Sequence, residues 1–181
     1  GSAGSGKSAI LSFIVTLSVS NYREKIPQNY QKWRETFPKQ IINLAIYAKG
    51  KTLDQVIGRF ATHLGVESSK ISVFNAIDDL KEPFRVVLDA LDEAREPMRI
   101  SQDFLESLNL LPNVKLLIGT RPEYVEQLGA SAVKFFIDQP DFLEKSDLAT
   151  YVENKLLGKG EKFKETLYTN DLAFTRKVAE A

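Results

Sequence analysis

The sequence predicts a three-layer α/β domain, a parallel sheet covered by helices, and three observations predict it. Apolar, β-branched runs alternate with amphipathic stretches along most of the 181 residues, the pattern of strands joined by helical crossovers. The chain opens with Gly1-Ser2-Ala3-Gly4-Ser5-Gly6-Lys7-Ser8, which satisfies G-x-x-x-x-G-K-[S/T] at every fixed position and leads into an apolar helix. Charged groups then stand directly behind two apolar runs, at the carboxyl ends of parallel strands where ligands bind.

The opening motif is the phosphate-cradling loop of nucleoside-triphosphate enzymes. Its glycines let the backbone curl so that successive N–H groups point at phosphate oxygens. Lys7 supplies positive charge to the outer phosphates, and Ser8 offers a hydroxyl to Mg2+. Ser2, Ala3, Gly4, Ser5, Gly6, Lys7, Ser8 and Ala9 are therefore the expected nucleotide-binding set. Ala9 to Ser20 follows as a helix whose positive end faces the anion, and it is apolar almost all round, as a helix buried under a sheet would be. A purification scar could supply Gly1 and Ser2, but it would not continue into Gly-Lys-Ser and an apolar helix. Such a loop needs a buried strand before it. No residue precedes Gly1, so the sequence reads as part of a longer polypeptide that holds the first strand.

Asn21 to Lys39 is polar and aromatic, with Pro27 and Pro38 as breakers. Its Tyr22, Tyr30, Trp33 and Phe37 are expected to cap the edge of the core rather than bind a ligand. Ile41 to Ala48 is a strand ended by Lys49-Gly50-Lys51. Thr52 caps a helix to Leu64 that carries Leu53, Val56, Ile57, Phe60 and Leu64 on one face. His63 is the only histidine and has no cysteine to join it, so it is expected to be a packing or surface residue and not a metal ligand.

Phe84 to Leu88 is the next strand, and Asp89-Ala90-Leu91-Asp92-Glu93 brings three carboxylates to its end. One acid there helps hold the Mg2+ that bridges the outer phosphates, and a second orients or deprotonates the attacking water. Asp89 suits the metal role together with Ser8, while Asp92 and Glu93 compete for the catalytic one. The competing reading makes the acids a helix N-terminus, where negative charge is favoured anyway. A third strand, Val114 to Ile118, delivers Arg121 ahead of Pro122, and an arginine there can reach a γ-phosphate. Ala132 to Ile137 is a further strand candidate. Ser146 caps a helix to Leu157, and the remainder is helical in character, which sets the expected boundary: a nucleotide-binding domain at 1–138 and a helical domain from 139 to 181.

Composition bounds the function. Lys plus Arg and Asp plus Glu both number 24, so no bulk charge favours nucleic acid or an anionic membrane. The absence of cysteine excludes disulfides and thiolate metal sites and fits a cytoplasmic location. No apolar run approaches the roughly 20 residues of a membrane span.

The loop GSAGSGKSA, the acidic motif VVLDALDEA and the strand-end motif LLIGTRPE, in this order and spacing, resemble the NACHT branch of the STAND class of P-loop ATPases. The acidic motif is the most specific part, because Asp92-Glu93 after Asp89-x-x separates it from relatives whose glutamate directly follows the metal aspartate. The stretch INLAIYAKGKTLDQVIGRFATHLG is similar to the second strand and helix of bacterial members. The resemblance implies an ASCE-type P-loop sheet followed by the start of a helical lid domain. It implies a signalling switch, of the kind used in defence, that rests closed with ADP, exchanges it for ATP when a sensor domain detects a ligand, and forms a homo-oligomer that activates an attached effector. Sensor and effector domains would lie outside this sequence. By position, Lys7 and Ser8 take the phosphate and metal roles, Asp89 the metal, Asp92 or Glu93 the catalytic role, and Arg121 the first sensor. Gly119-Thr120 stands where many members carry Thr-Ser, and the adenine-holding segment and lid proline are expected beyond Ala181.

Three function classes compete: a slowly hydrolysing regulatory ATPase, an AAA+-like remodelling ATPase, and a nucleotide-binding module without hydrolysis. A motor needs an arginine finger in trans and a translocating element, and neither is identified. A binding module would have lost its acids, and all three are present. The guanine-reading Asn-Lys-x-Asp fails at its last position in Asn154-Lys155-Leu156-Leu157, and the Asp-x-x-Gly of GTPases is replaced by Asp89-Ala90-Leu91-Asp92, so ATP is the expected nucleotide.

Overall fold

The structure, a computed structural model, describes residues 6–125, 128, 133–137 and 139. The chain divides into two units, residues 1–134 and 135–181. The first unit is α/β. Its strands β1 (Leu44–Tyr47), β2 (Phe84–Asp89) and β3 (Val114–Ile118) form a parallel sheet in the order β1-β2-β3. Leu44 lies opposite Val86 and Phe84 opposite Val114, and the register runs on to Tyr47 opposite Asp89 and Leu88 opposite Ile118. All three strands therefore release their chains along one edge of the sheet.

The sheet's two faces are covered unequally, which follows from its period of two. Leu44, Ile46, Phe84, Val86, Leu88 and Val114 share one face and belong to a single buried cluster with α4 (Leu53–Leu64), α5 (Lys70–Asp78) and the helical segment that starts at Pro97. Val87 points the other way, toward α1 (Lys7–Ser18), whose Leu11 and Leu17 are buried. Only β2 is covered on both faces. On the α1 side, Ala45 and Tyr47 of β1 and Lys115 and Leu117 of β3 are exposed.

This corrects the expectation of a helix buried all round. The α1 layer is one helix wide, so its other apolar residues lie outside the core. Ile10 is 48% exposed, and with Phe13 it borders an apolar groove of about 640 Å3 closed by Tyr22, Ile26, Pro27 and Tyr30. The helix also begins at Lys7, two residues before Ala9, because Gly6 turns into it at φ 84°, a left-handed conformation suited to glycine.

The polar segment that follows folds into α2 (Ser20–Arg23), a 3-10 turn at Gln28–Tyr30, and α3 (Gln31–Thr36). Tyr22, Tyr30 and Trp33 are exposed rather than capping the core, and Phe37 is half-buried. Ile26 and Arg23 are the residues buried there, and no sequence signal marked Arg23: its guanidinium donates to the carbonyls of Arg34, at 2.8 Å, and Phe37. The strand expected from Ile41 begins at Leu44. The backbone N–H groups of Gln40 and Ile42 donate to the Ser18 carbonyl and hydroxyl at 2.7 and 2.9 Å, so this stretch is tied to the end of α1 before the chain enters the sheet.

The α4 expectation holds in detail. Thr52 Oγ1 accepts from Gln55 N–H at 3.3 Å, Gln55 Oε1 accepts from Thr52 N–H at 3.0 Å, and Gly65 closes the helix at φ 71°. His63 is exposed beside the Phe84 ring, a surface packing residue as expected. Helix α5, capped by Ser69, was not foreseen. After β2 come a 3-10 turn at Leu91–Glu93, then α6 (Pro97–Arg99), a π-helical segment Ile100–Leu105 and α7 (Glu106–Asn109). The wide π turn lets Ile100, Ser101, Phe104 and Leu105 all face the core. The last described helix is α8 (Pro122–Val125).

The strand expected over Ala132 to Ile137 does not form. Residues 133–136 have no regular structure, Ile137 lies in a turn, and Val133, 81% exposed, has no sheet partner to bury its side chain. Ala132 and the helix expected from Ser146 to Leu157 lie outside the described residues, as does the rest of the expected helical domain apart from Gln139. Among the described residues, no helix is long and apolar enough to cross a membrane.

Candidate functional site

The common exit edge of the strands gathers the chemistry. The ladder continues past β2 and β3: Ala48 N–H donates to the Asp89 carbonyl at 2.8 Å, Gly119 N–H to the Leu88 carbonyl at 2.8 Å, and Leu91 N–H to the Gly119 carbonyl at 3.1 Å. Asp89 is thus held at the middle of the edge, 9% exposed, with Oδ1 accepting the Ala90 N–H at 2.8 Å. Ala90 adopts φ 57°, a left-handed conformation that costs a non-glycine residue about 1–2 kcal/mol. The turn it makes drives Leu91 fully into the core and brings Asp92 and Glu93 back along the strand ends. The two acids therefore occupy a short 3-10 turn, followed by extended Ala94, and do not begin a helix.

Each acid has its own cation. Arg121, just past β3, places Nε 2.9 Å from Asp92 Oδ2, and the Asp92 side chain is only 6% exposed. Lys49, just past β1, places Nζ 2.6 Å from Glu93 Oε2. The Lys49 hydrogen bond holds the Glu93 carboxyl below the usual carboxylate range despite some desolvation, and the charges of Lys49, Arg121 and Lys7 lower it further. The same hydrogen bond raises the Lys49 ammonium. With Glu93 depressed, the stabilisation from this pair is present above the ordinary glutamate range and is lost as pH falls through the lowered value. Lys7, half-buried in the first turn of α1, is thus near enough to act on an acid at the strand ends.

Two further features complete the edge. Thr120 is 5% exposed, and its hydroxyl has no hydrogen-bond partner among the described residues, an uncommon condition for a buried polar group. Gly119 is closely approached: a Cβ there would lie 2.5 Å from Leu11 Cδ1 and 2.6 Å from Asp89 Oδ1, so two buried side chains would have to shift to admit it. Gly119→Ala should therefore lower stability by about 1–3 kcal/mol, as overpacking does. The midpoint of urea unfolding measures this, and an unchanged midpoint would show that α1 and Asp89 give way freely.

Of the residues singled out in the sequence, Ser2, Ala3, Gly4 and Ser5 lie outside the described residues. Gly6 caps α1, and Ser8 and Ala9 are exposed in its first turn. Asp89, Asp92, Glu93 and Arg121 meet at the strand ends, but Arg121 engages Asp92 while Glu93 turns to Lys49. Lys49, Ala90, Thr120 and Glu96 went unmarked as site residues. Lys49 carried the same signal as Asp89, a charge directly behind a buried strand. Glu96 caps α4 from a distance, accepting the Leu53 N–H at 2.9 Å, and that hydrogen bond together with Arg99 lowers its carboxyl.

No family model, curated protein or solved structure matches this chain. The edge itself presents paired acids and cations on rigid strand ends beside the N-terminus of a 12-residue helix, a combination suited to a polyanion and to proton transfer beside it.

Proposed function

We propose that this chain is the nucleotide-binding part of a NACHT-type P-loop switch, which binds ATP, hydrolyses it slowly to ADP and phosphate, and uses the ADP/ATP difference to control self-assembly and an attached effector. The observation that carries this reading is the Arg121–Asp92 ion pair at 2.9 Å, on the edge that also holds Asp89 and Glu93. A γ-phosphate competes with Asp92 for the same guanidinium. With ADP, Arg121 stays on Asp92; with ATP, it moves to the phosphate and the Asp92 carboxylate is released. A ligand shifts a two-state equilibrium only through its differential affinity, and this exchange supplies one.

Lys7 and the N-terminal N–H groups of α1 bind the outer phosphates. Asp92 or Glu93 orients the attacking water and takes its proton. The residues present also fit a phosphate-bound magnesium ion: Ser8 offers an exposed hydroxyl, Asp89 a carboxylate at the strand end, and Thr120 a buried hydroxyl that has no partner among the described residues. When bound, the ion would neutralise charge on the phosphate oxygens.

The test is Arg121→Ala in the full-length protein. It should bind ADP like the parent yet fail to assemble with ATP and activator, and the mass of the particle in each nucleotide state reads this out. A variant that assembles like the parent, or a parent whose mass never responds to ATP and activator, would overturn the switch reading in favour of a remodelling or monomeric ATPase.

A further inference from the structure

The loop that carries Lys49 is stitched to the acidic turn along its whole length. Ala48 N–H reaches the Asp89 carbonyl and Gly50 N–H the Glu93 carbonyl, both at 2.8 Å, and Arg95 N–H returns to the Lys51 carbonyl at 2.9 Å. Leu53 N–H then donates to Glu96 Oε2 at 2.9 Å. Gly50 makes the loop possible by adopting φ 69°. The placement of Lys49 beside Glu93 is thus set by the backbone and does not depend on a chance meeting of two long side chains on the surface.

We infer that Lys49 is a positioning residue that restrains Glu93, keeping its carboxylate on the β1 side of the edge and so holding ATP turnover low in the resting protein. This inference rests on the nucleotide reading above. Two physical effects act together. One Glu93 oxygen is occupied by the ammonium at 2.6 Å, and a carboxylate stabilised by a cation is a weaker acceptor for the proton of a water molecule. The groups facing Glu93 are Lys49, Arg121 and Lys7, with Tyr47 beside Lys49 and Asp92 next in the chain. Arg121 is engaged by Asp92 and acts on Glu93 through its charge, as Lys7 does, whereas Lys49 holds Glu93 by a direct hydrogen bond.

The pair is partly exposed, at 59% for Lys49 and 36% for Glu93, so the restraint is modest and releasing it should change the rate by about two- to fivefold. The experiment is single-turnover ATP hydrolysis by the full-length protein as parent, Lys49→Met, Lys49→Arg, Glu93→Gln and Lys49→Met/Glu93→Gln, with ATP affinity measured for each. Lys49→Met should cleave ATP two- to fivefold faster at unchanged affinity, and Lys49→Arg, which keeps the charge, should behave as the parent. The double variant should be no faster than Glu93→Gln alone. Glu93 rises toward its ordinary range once the ammonium is gone, so the acid limb of the pH–rate profile should move to higher pH in Lys49→Met, a change that loosening of the loop would not produce. An unchanged or slower rate, or a gain that survives Glu93→Gln, overturns the inference. A protein that binds no ATP overturns the nucleotide reading and this inference with it, whereas one that binds and cleaves ATP with no response to Lys49 overturns this inference alone.

Discussion

Replacing Asp92 by Asn and Glu93 by Gln together should lower ATP turnover by about 10²- to 10⁴-fold while leaving ATP bound, the usual contribution of a positioned general base. The amides keep the shape of the acids and an oxygen for hydrogen bonding, so the 3-10 turn at Leu91–Glu93 and the Leu91 anchor should survive. The single variants then divide the roles. If Asp92 is the base, Asp92→Asn carries most of the loss, and the exchange of Arg121 between acid and phosphate weakens with it. If Glu93 is the base, Glu93→Gln carries the loss and also removes any effect of Lys49. Binding of a fluorescent ATP analogue verifies that each variant still folds around the nucleotide. A double variant that turns over at the parent rate would remove both acids from the mechanism.

Lys7→Ala should weaken ATP binding about 10- to 150-fold, the loss of one charged hydrogen bond of roughly 1.5–3 kcal/mol. The first turn of α1 otherwise offers only N–H groups and the Ser8 hydroxyl, so no neighbouring side chain in that turn can replace the charge. Because the substitution leaves Leu11 and Leu17 untouched, α1 should remain docked on the sheet. Titration with the same fluorescent analogue measures the change. Unchanged affinity in a folded variant would end the reading of residues 1–8 as a phosphate loop.

Much of the fold was legible because local chemistry and burial agreed. The α4 helix announced itself through Thr52, Gln55 and Gly65, and β3 through Val114 and the apolar run Leu116-Leu117-Ile118 ended by Gly119. What local pattern could not carry was context. The apolar sequence of α1 implied burial on every side, but a sheet of three strands has room to cover only one. Residues 133–136 are rich in residues suited to strands, yet a strand needs a neighbour, and none pairs with them among the described residues. Arg23 reads as a surface charge and is buried because two carbonyls from α3 and its exit reach it. At the strand ends, the motif singled out Asp89, Asp92, Glu93 and Arg121, and the fold brings these four side by side. The division of the acids between Arg121 and Lys49 depends on the parallel register and on the left-handed turn at Ala90, neither of which has a residue signature.

The missing side chain at Gly119 has a mechanical consequence. Leu11, in the helix that follows the glycine-rich loop, and the carboxylate of Asp89 press into the same methyl-sized gap from two sides. Position 119 is thus a single point of the backbone at which one added methyl group would press on the helix after the loop and on the acid at the strand end at once.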